Sequence, residues 1–333
     1  MEISIHRPLY VNKIGKRAKN QDSLYPSAGL ASRDSHVFLA CDGVGGAASG
    51  EIASRVSADV VGQFFEHQLA TIEHINAAIN AAQAAIDAHL ETDPLSKGMG
   101  TTLTFVQFNP YGATIAHIGD SRVYHIRNGH ILFCTDDHSL INEMRKKGMD
   151  NLENVQSNVI TRAIQGQSVR AVQADVQFIS DIEAGDYFFL CTDGIWGVFE
   201  DTELKAIFGE ALTNEEKLEQ IEARCAVQSH DNYTAYLIQI ESVTVGVQPE
   251  IEPVTEGIQP EIAASSMMDN QSTADAQADA QTDAQTDAET DLAERQEIMI
   301  EVTQKPRKAA WVVPLILILL VLMGILWAVF GTT

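Results

Sequence analysis

The sequence predicts an α+β fold followed by a single C-terminal transmembrane helix. Three observations carry that expectation. Over the first 240 residues, strand-like and helix-like segments fall into separate groups instead of alternating one for one. Short apolar runs in the middle of this region are divided by turn pairs such as Asn109-Pro110 and Asn128-Gly129, which mark an antiparallel meander. Residues 311–330 carry no charge, and as a helix they extend about 30 Å, enough to cross a bilayer core.

The elements follow in order. Residues 35–42 form a strand, an apolar run that ends in Asp42-Gly43, and Gly45-Gly46 then leads into two helices. Apolar residues recur there at helical spacing, first Ile52, Val56, Val60, Val61, Phe64 and Phe65, then Ile72, Ile75, Ile79, Ala82, Ile86 and Leu90. Residues 101–108, 113–118, 121–126 and 130–134 are the strands of the meander. A helix near 139–147 precedes a polar segment, 148–157, and strands at 172–179 and 186–191. Helices near 202–208 and 214–229 and a last strand at 233–240 complete a domain over residues 1–242.

Residues 243–304 are of low complexity. An eleven-residue near repeat begins at Val243 and again at Val254, and Asp then recurs at every fourth position from Asp275 to Asp291. The stretch holds fourteen acidic residues against Arg295 alone, more than half of a formal net charge of −24. Such a composition cannot bury enough apolar surface to offset the entropy of ordering, so it reads as a self-repelling, extended tether. Residues 305–333 hold a basic flank (Lys305, Arg307, Lys308) and the apolar span, with Trp311 and Trp327 near its ends and Pro314 in its first turn. The positive-inside rule puts residues 1–242 in the cytoplasm, on a single-pass C-terminal anchor in the inner or plasma membrane.

Composition also excludes. An acidic chain has no nucleic-acid footprint, which needs clustered Lys and Arg. Residues 1–11 contain no continuous apolar segment and are not a secretory signal. Cys41, Cys134, Cys191 and Cys225 form no CxxC pair and read as free thiols in a reducing compartment.

The chemistry lies in the acidic residues that bound the apolar runs. Asp42 and Asp193 each close a run and precede Gly, Asp120 follows Ile118-Gly119, and Asp231-Asn232 opens the last strand. One Asp-Gly pair is a turn signal. Four carboxylates at strand ends are a different matter, because gathered together they repel unless a cation intervenes, and Mg²⁺ or Mn²⁺ prefers an all-oxygen shell. Zinc is disfavoured, since the ten histidines contain no HExxH and no Cys/His cluster occurs. Two such ions about 4 Å apart can activate a shared water for in-line attack on a phosphoryl group. Arg17, five residues before Asp22, suits the phosphate dianion. No Cys-x5-Arg loop points to a cysteine phosphatase, and no Asp-x-Asp-x-Thr points to an aspartyl-phosphate enzyme.

Eight segments in order carry a resemblance: Arg17-Ala-Lys-Asn-Gln-Asp22, Asp42-Gly-Val-Gly-Gly46 with Gly50-Glu-Ile-Ala-Ser54, Gly98-Met-Gly-Thr-Thr-Leu103, Ile118-Gly-Asp-Ser-Arg122, Asp137-His-Ser139, Asn158-Val-Ile-Thr-Arg162, Cys191-Thr-Asp-Gly194 and Asp231-Asn232. Together they resemble the metal-dependent serine/threonine protein phosphatases of type 2C, bacterial branch, over residues 11–240. The resemblance implies a two-sheet antiparallel β-sandwich flanked by helices, with a metal site at one end. It implies two Mn²⁺ or Mg²⁺ ions and a third, weaker one. Asp42, Asp193 and Asp231 would hold the first ion, Asp42 and the Gly43 carbonyl the second, and Asp120 with Asp193 the third. Asp22 would orient water and Arg17 would bind the substrate phosphate, while His138 is structural. The expected reaction is hydrolysis of phosphoserine and phosphothreonine on proteins by a hydroxide bridging two metals, with no phosphoenzyme. Partners would be phosphoproteins, a serine/threonine kinase or its substrates. The alternative is a catalytically silent phosphatase-like scaffold at the membrane, against which the intact Asp42, Asp193 and Asp231 argue. Three departures stand out: Gln21 and Val44 replace the Glu and His of animal members, and Ala47 a His common in bacterial ones. The segment 146–157, a mobile flap in the family, is short and polar here and is the expected seat of substrate choice.

Overall fold

The computed structural model describes residues 1–44, 49–149, 152, 159–167 and 172–244. The chain opens with β1 (Glu2–Ile5), β2 (Leu9–Lys13), β3 (Asp22–Tyr25) and β4 (Val37–Val44), then α1 (Gly50–Phe65) and α2 (Ile72–Thr92). The expected meander divides between two sheets, with β5 (Gly100–Thr101), β6 (Leu103–Asn109) and β7 (Gly112–Ile118) in one and β8 (Arg122–Arg127) and β9 (His130–Cys134) in the other. Beyond it come α3 (Leu140–Lys146), β10 (Ile164–Gln165), β11 (Asp175–Ile179), β12 (Tyr187–Cys191), α4 (Asp193–Trp196), α5 (Asp201–Gly209), α6 (Asn214–Gln228) and β13 (Tyr233–Thr244).

Among the described residues all strand pairings are antiparallel, and they make two sheets. One runs β1-β13-β12-β8-β9, with β2 on the first half of β13 and β1 on its second. The other runs β10-β5-β4-β6-β7-β11, with β3 also on β4. Alternation along the strands assigns the layers. On β4, Phe38 and Ala40 face the space between the sheets with Val106, Phe188, Tyr236 and Ile238, whereas Val37, Leu39 and Cys41 face α1 and α2. On β12, Phe188 and Leu190 point inward, and Phe189 and Cys191 pack against α5 and α6 through Phe208, Leu218 and Ile221. A strand covered on both faces is apolar at every position, which is why β4 and β12 read as unbroken apolar runs.

The α+β expectation and the flanked two-sheet sandwich both match this architecture. Asn128 and Gly129 take positive φ, 49° and 74°, as a tight hairpin between β8 and β9 requires. Helix α2 starts at Thr71, whose hydroxyl accepts the His74 N–H, and α6 at a reciprocal Thr213/Glu216 capping box. The sequence reading lacked β1, β2, β3, β10 and α4, and the expected strand at 172–179 begins only at Asp175. The linker from 245 on, the apolar span 311–330 and most of the segment 146–157 lie outside the described residues. Among the described residues no helix is long and apolar enough to cross a membrane.

Candidate metal centre

The expected site residues come together where strands end. Asp22 on β3 stands opposite Asp42 on β4 in the ladder. The Asp42 backbone is fixed from three sides: its N–H donates to Thr102 Oγ1, and its carbonyl accepts from Thr101 Oγ1 and the Thr102 N–H, each at 2.9 Å. Gly43 must be glycine, because a Cβ there would lie 2.2 Å from the Gly50 carbonyl oxygen. That approach brings the end of β4 onto the start of α1. On the other sheet, β12 leads through Thr192 into Asp193, the first residue of α4, and a Cβ on Gly194 would lie 1.8 Å from the Asn232 carbonyl oxygen. The Asp193 charge lies close enough to raise the Asp42 carboxyl.

Asn232 ties the remaining parts in. Its Nδ2 donates to the carbonyls of Ile14 at 2.7 Å and Lys19 at 2.9 Å, and its Oδ1 accepts the Gln21 N–H at 2.8 Å. The loop between β2 and β3 is thereby held against the start of β13, which places the exposed Arg17 guanidinium on the Asp231 carboxylate. The sequence reading had Asn232 only as the companion of Asp231. Its positioning role was missed, and the one available signal was an Asn beside an acidic residue at a strand start. Asp120, in the turn between β7 and β8, is anchored by the Trp196 Nε1–H, which donates to its carbonyl at 2.8 Å. The Arg122 guanidinium lies 4.0 Å over the same indole and forms a bidentate pair with Asp137.

The electrostatics of this end are those of crowded carboxylates. Burial, then the neighbouring Asp193 and Asp231 charges, push Asp22 up to about 7 despite the Thr192 hydroxyl, which donates to its Oδ2 at 2.9 Å. Burial, followed by Asp193 and Asp137, raises Asp120 to about 7; burial and Asp231 raise Asp193 to about 6. Asp42 is raised as well, by burial and then by Asp22, Asp193, Asp120 and Asp231. Among the described residues, Asp22 Oδ1 and Asp193 Oδ1 are two of six buried side-chain polar atoms with no hydrogen-bond partner. Buried polar atoms are otherwise almost always satisfied. Orphaned oxygens on mutually repelling carboxylates fit a hard divalent cation.

A tighter donor group lies elsewhere: the ligand atoms of His117, His138 and Asp175 fall within 4.8 Å of one another. Two facts argue against a metal there. The imidazoles are stacked, 4.4 Å between centroids and 19° between planes. A ring lone pair lies in the ring plane, so two nearly parallel, separated planes cannot both aim at one ion. The Gly119 N–H also donates to His138 Nδ1 at 3.1 Å, and a ligating Nε2 would then leave the ring with no proton at all. Burial holds both histidines below their usual pKa, and the cluster is a hydrogen-bonded one, in keeping with a structural His138.

Comparison with known proteins adds the family. A family model described as protein phosphatase 2C matches residues 12–235. The serine/threonine protein phosphatase PstP of Mycobacterium tuberculosis is 32% identical over 198 residues, 57% of this chain and 36% of that protein. The chain therefore spans about a third of the length of that relative. Protein phosphatase PhpP of Streptococcus pneumoniae is 31% identical over 230 residues, 66% of this chain and 89% of PhpP. The crystal structure of the PstP catalytic domain in complex with two manganese ions superposes with a TM-score of 0.61 at 27% identity, covering 72% of this chain and all of that one.

Proposed function

The chain belongs to the protein phosphatase 2C family, and on that premise we propose that it is a metal-dependent protein serine/threonine phosphatase tethered to a membrane. The observation that carries the reading is the set of buried, mutually repelling carboxylates with two orphaned oxygens. Asp42, Asp193 and Asp231 are the donors for one Mn²⁺ or Mg²⁺, Asp42 and the Gly43 carbonyl for a second, and Asp120 with Asp193 for a third, weaker ion. Bound there, such ions would supply Lewis acidity, making a water acidic enough to attack and neutralising charge on the phosphoryl oxygens.

The chain's own residues do the rest. Arg17, on a loop pinned by Asn232, offers a guanidinium fork to the phosphate dianion at the rim of the site. Asp22, with one oxygen occupied by Thr192, keeps Oδ1 free to accept a hydrogen bond from water and orient it. Val44 and Gln21 contribute no charge at their positions. Residues 311–330 are the single-pass anchor, residues 243–304 the tether, and the domain of residues 1–242 faces the cytoplasm. Anchoring raises the effective concentration toward membrane-bound phosphoproteins, a serine/threonine kinase or its substrates.

The test is phosphate release from a phosphothreonine peptide by the full-length protein with Mn²⁺, with EDTA and as Asp193→Asn. Mn²⁺-dependent release, lost in EDTA and in the variant, is the expected result. A folded protein with no turnover at any Mn²⁺ concentration would instead make it the silent scaffold. Deleting residues 311–330 is expected to move the protein from the membrane to the soluble fraction; a deletion variant that still sediments with membranes would sink the anchor.

A further inference from the structure

Asp120 is one of the proposed donors, and its backbone is held from two directions. Trp196 takes its carbonyl, and His138 takes the N–H of the preceding residue. Gly119 sits at φ +97° against Thr102, where a Cβ would come within 2.5 Å of the threonine methyl, so no other residue could occupy the position that meets His138. The two segments are doubly tied, because the His138 N–H also donates to the Gly119 carbonyl at 2.8 Å.

The bond from Gly119 N–H to Nδ1 requires one tautomer of His138, with the proton on Nε2. The other ring nitrogen settles which tautomer is present. His138 Nε2 donates to Asp175 Oδ2 at 3.1 Å, and Arg162 Nη1 holds Asp175 Oδ1 at 2.6 Å. Stacking on His117, itself fixed by Nε2–H donation to the Asp136 carbonyl at 3.0 Å, stops the buried ring from turning. The Asp175–Arg162 pair is about half exposed, and an ion pair so open to water adds little to stability. Its consequence is therefore the tautomer and not the fold. Arg162 also lies on a stretch of backbone bonded to the start of α3: the Thr161 N–H donates to the His138 carbonyl at 2.7 Å, and the Leu140 N–H to that of Val159 at 2.8 Å.

We infer that His138 is a positioning residue for Asp120: Arg162 and Asp175 set its tautomer, its Nδ1 holds Gly119, and the Asp120 carboxylate is thereby fixed for the weakest of the three ions. The inference rests on the reading of Asp120 as a metal donor. It makes residues 159–162 and the third-ion position one mechanical unit, so that whatever shifts Arg162 shifts metal affinity at Asp120.

Two substitutions separate the bonds of the imidazole. In His138→Asn the side-chain oxygen still reaches the Gly119 N–H and the contact with Asp175 is lost; in His138→Gln the reach toward Asp175 survives and the bond to Gly119 is lost. Mn²⁺ binding to the full-length protein, followed by electron paramagnetic resonance of the free ion and without reference to turnover, is compared with Asp120→Asn and Asp175→Ala. Wild type is expected to show a tight and a weak class, the weak one absent in Asp120→Asn. His138→Gln is expected to weaken the weak class about tenfold and leave the tight class unchanged, with His138→Asn staying within about threefold of wild type. Should His138→Gln fail to fold, Asp175→Ala, at a half-exposed residue, carries the test with an expected loss of about threefold. A weak class unchanged in His138→Gln, or in Asp175→Ala in its place, overturns the positioning role alone. A weak class unchanged in Asp120→Asn overturns it through the donor assignment, and the two failures are distinct.

Discussion

Strand β12 has a carboxylate at each end, the fully buried Asp186 before it and the half-buried Asp193 after it, and the two ends are built in opposite ways. Around Asp186, burial alone would raise the carboxyl, but hydrogen bonds outweigh it: Arg127 Nε at 2.7 Å and Nη2 at 2.9 Å, His125 Nε2 at 2.8 Å, and the Glu183 N–H at 2.9 Å. The group is held well below the usual carboxylate range although its side chain is fully buried. Around Asp193 the neighbours are other carboxylates, one oxygen has no partner, and the group is pushed up to about 6. Desolvation pushes both carboxyls upward, so desolvation alone does not decide acidity. The partners do. A carboxylate satisfied from within the chain belongs to the scaffold, and one left unsatisfied at a cost of about 1–3 kcal/mol is held for a ligand the chain does not supply.

Substitution at each end is the most direct way to break the comparison. Asp193→Asn is expected to cut phosphopeptide turnover by about 10³- to 10⁴-fold, some 4–5 kcal/mol of transition-state stabilisation, and to leave the metal-free protein at least as stable. Turnover within tenfold of wild type would show that Asp193 holds no essential cation. Asp186→Ala is expected to do the reverse. It leaves Arg127 and His125 facing an empty position and costs about 3 kcal/mol in urea-induced unfolding, toward the low end for a broken buried pair because Arg127 keeps Asp181 and Glu183. Turnover per folded molecule should stay within about threefold. A loss of turnover at unchanged stability would assign Asp186 to the site.

The same contrast explains what could be read from the residues in advance. Strands buried on both faces announce themselves as apolar runs, so β4 and β12, and the Asp at each C-terminal end, were legible. Strands β1, β2 and β3 were not: at four or five residues, with Asn12, Lys13 and Asp22 among them, they owe their conformation to pairing with β13 and β4. Helix α4 is a single turn, too short to show a period. Within the site, Asp42-Gly43 could be recognised as a strand end, but the pressure of the Gly50 carbonyl on Gly43 exists only once α1 packs. Nor could spacing assemble His117, His138 and Asp175, which lie on three different segments and meet because β11 pairs with β7. A strand-ending Asp is a local signal. The network that aims it is tertiary.

The smallest expected effect sharpens the contrast through pH. An unfolded carboxyl titrates near about 4. In the metal-free fold Asp193 is raised to about 6, and Asp22 and Asp120 to about 7. Between about pH 4 and 7 the folded state therefore keeps protons that the unfolded state has released, and stability falls as pH rises through that window. Asp186 has the opposite sign. Its depressed carboxyl contributes fully above the unfolded value, and the contribution is lost as pH drops through the folded one. The metal-free protein should accordingly have a Tm at pH 5 roughly 5 °C above that at pH 7.5. Saturating Mn²⁺ should abolish the fall, since the cation holds the site carboxylates ionised. Asp186→Ala should lower the whole metal-free profile and keep its slope between pH 5 and 7.5, because the group it removes titrates below that window. A metal-free Tm that is flat or rises from pH 5 to 7.5 would mean that the site carboxylates find partners within the chain after all, and that the two ends of β12 do not differ in kind.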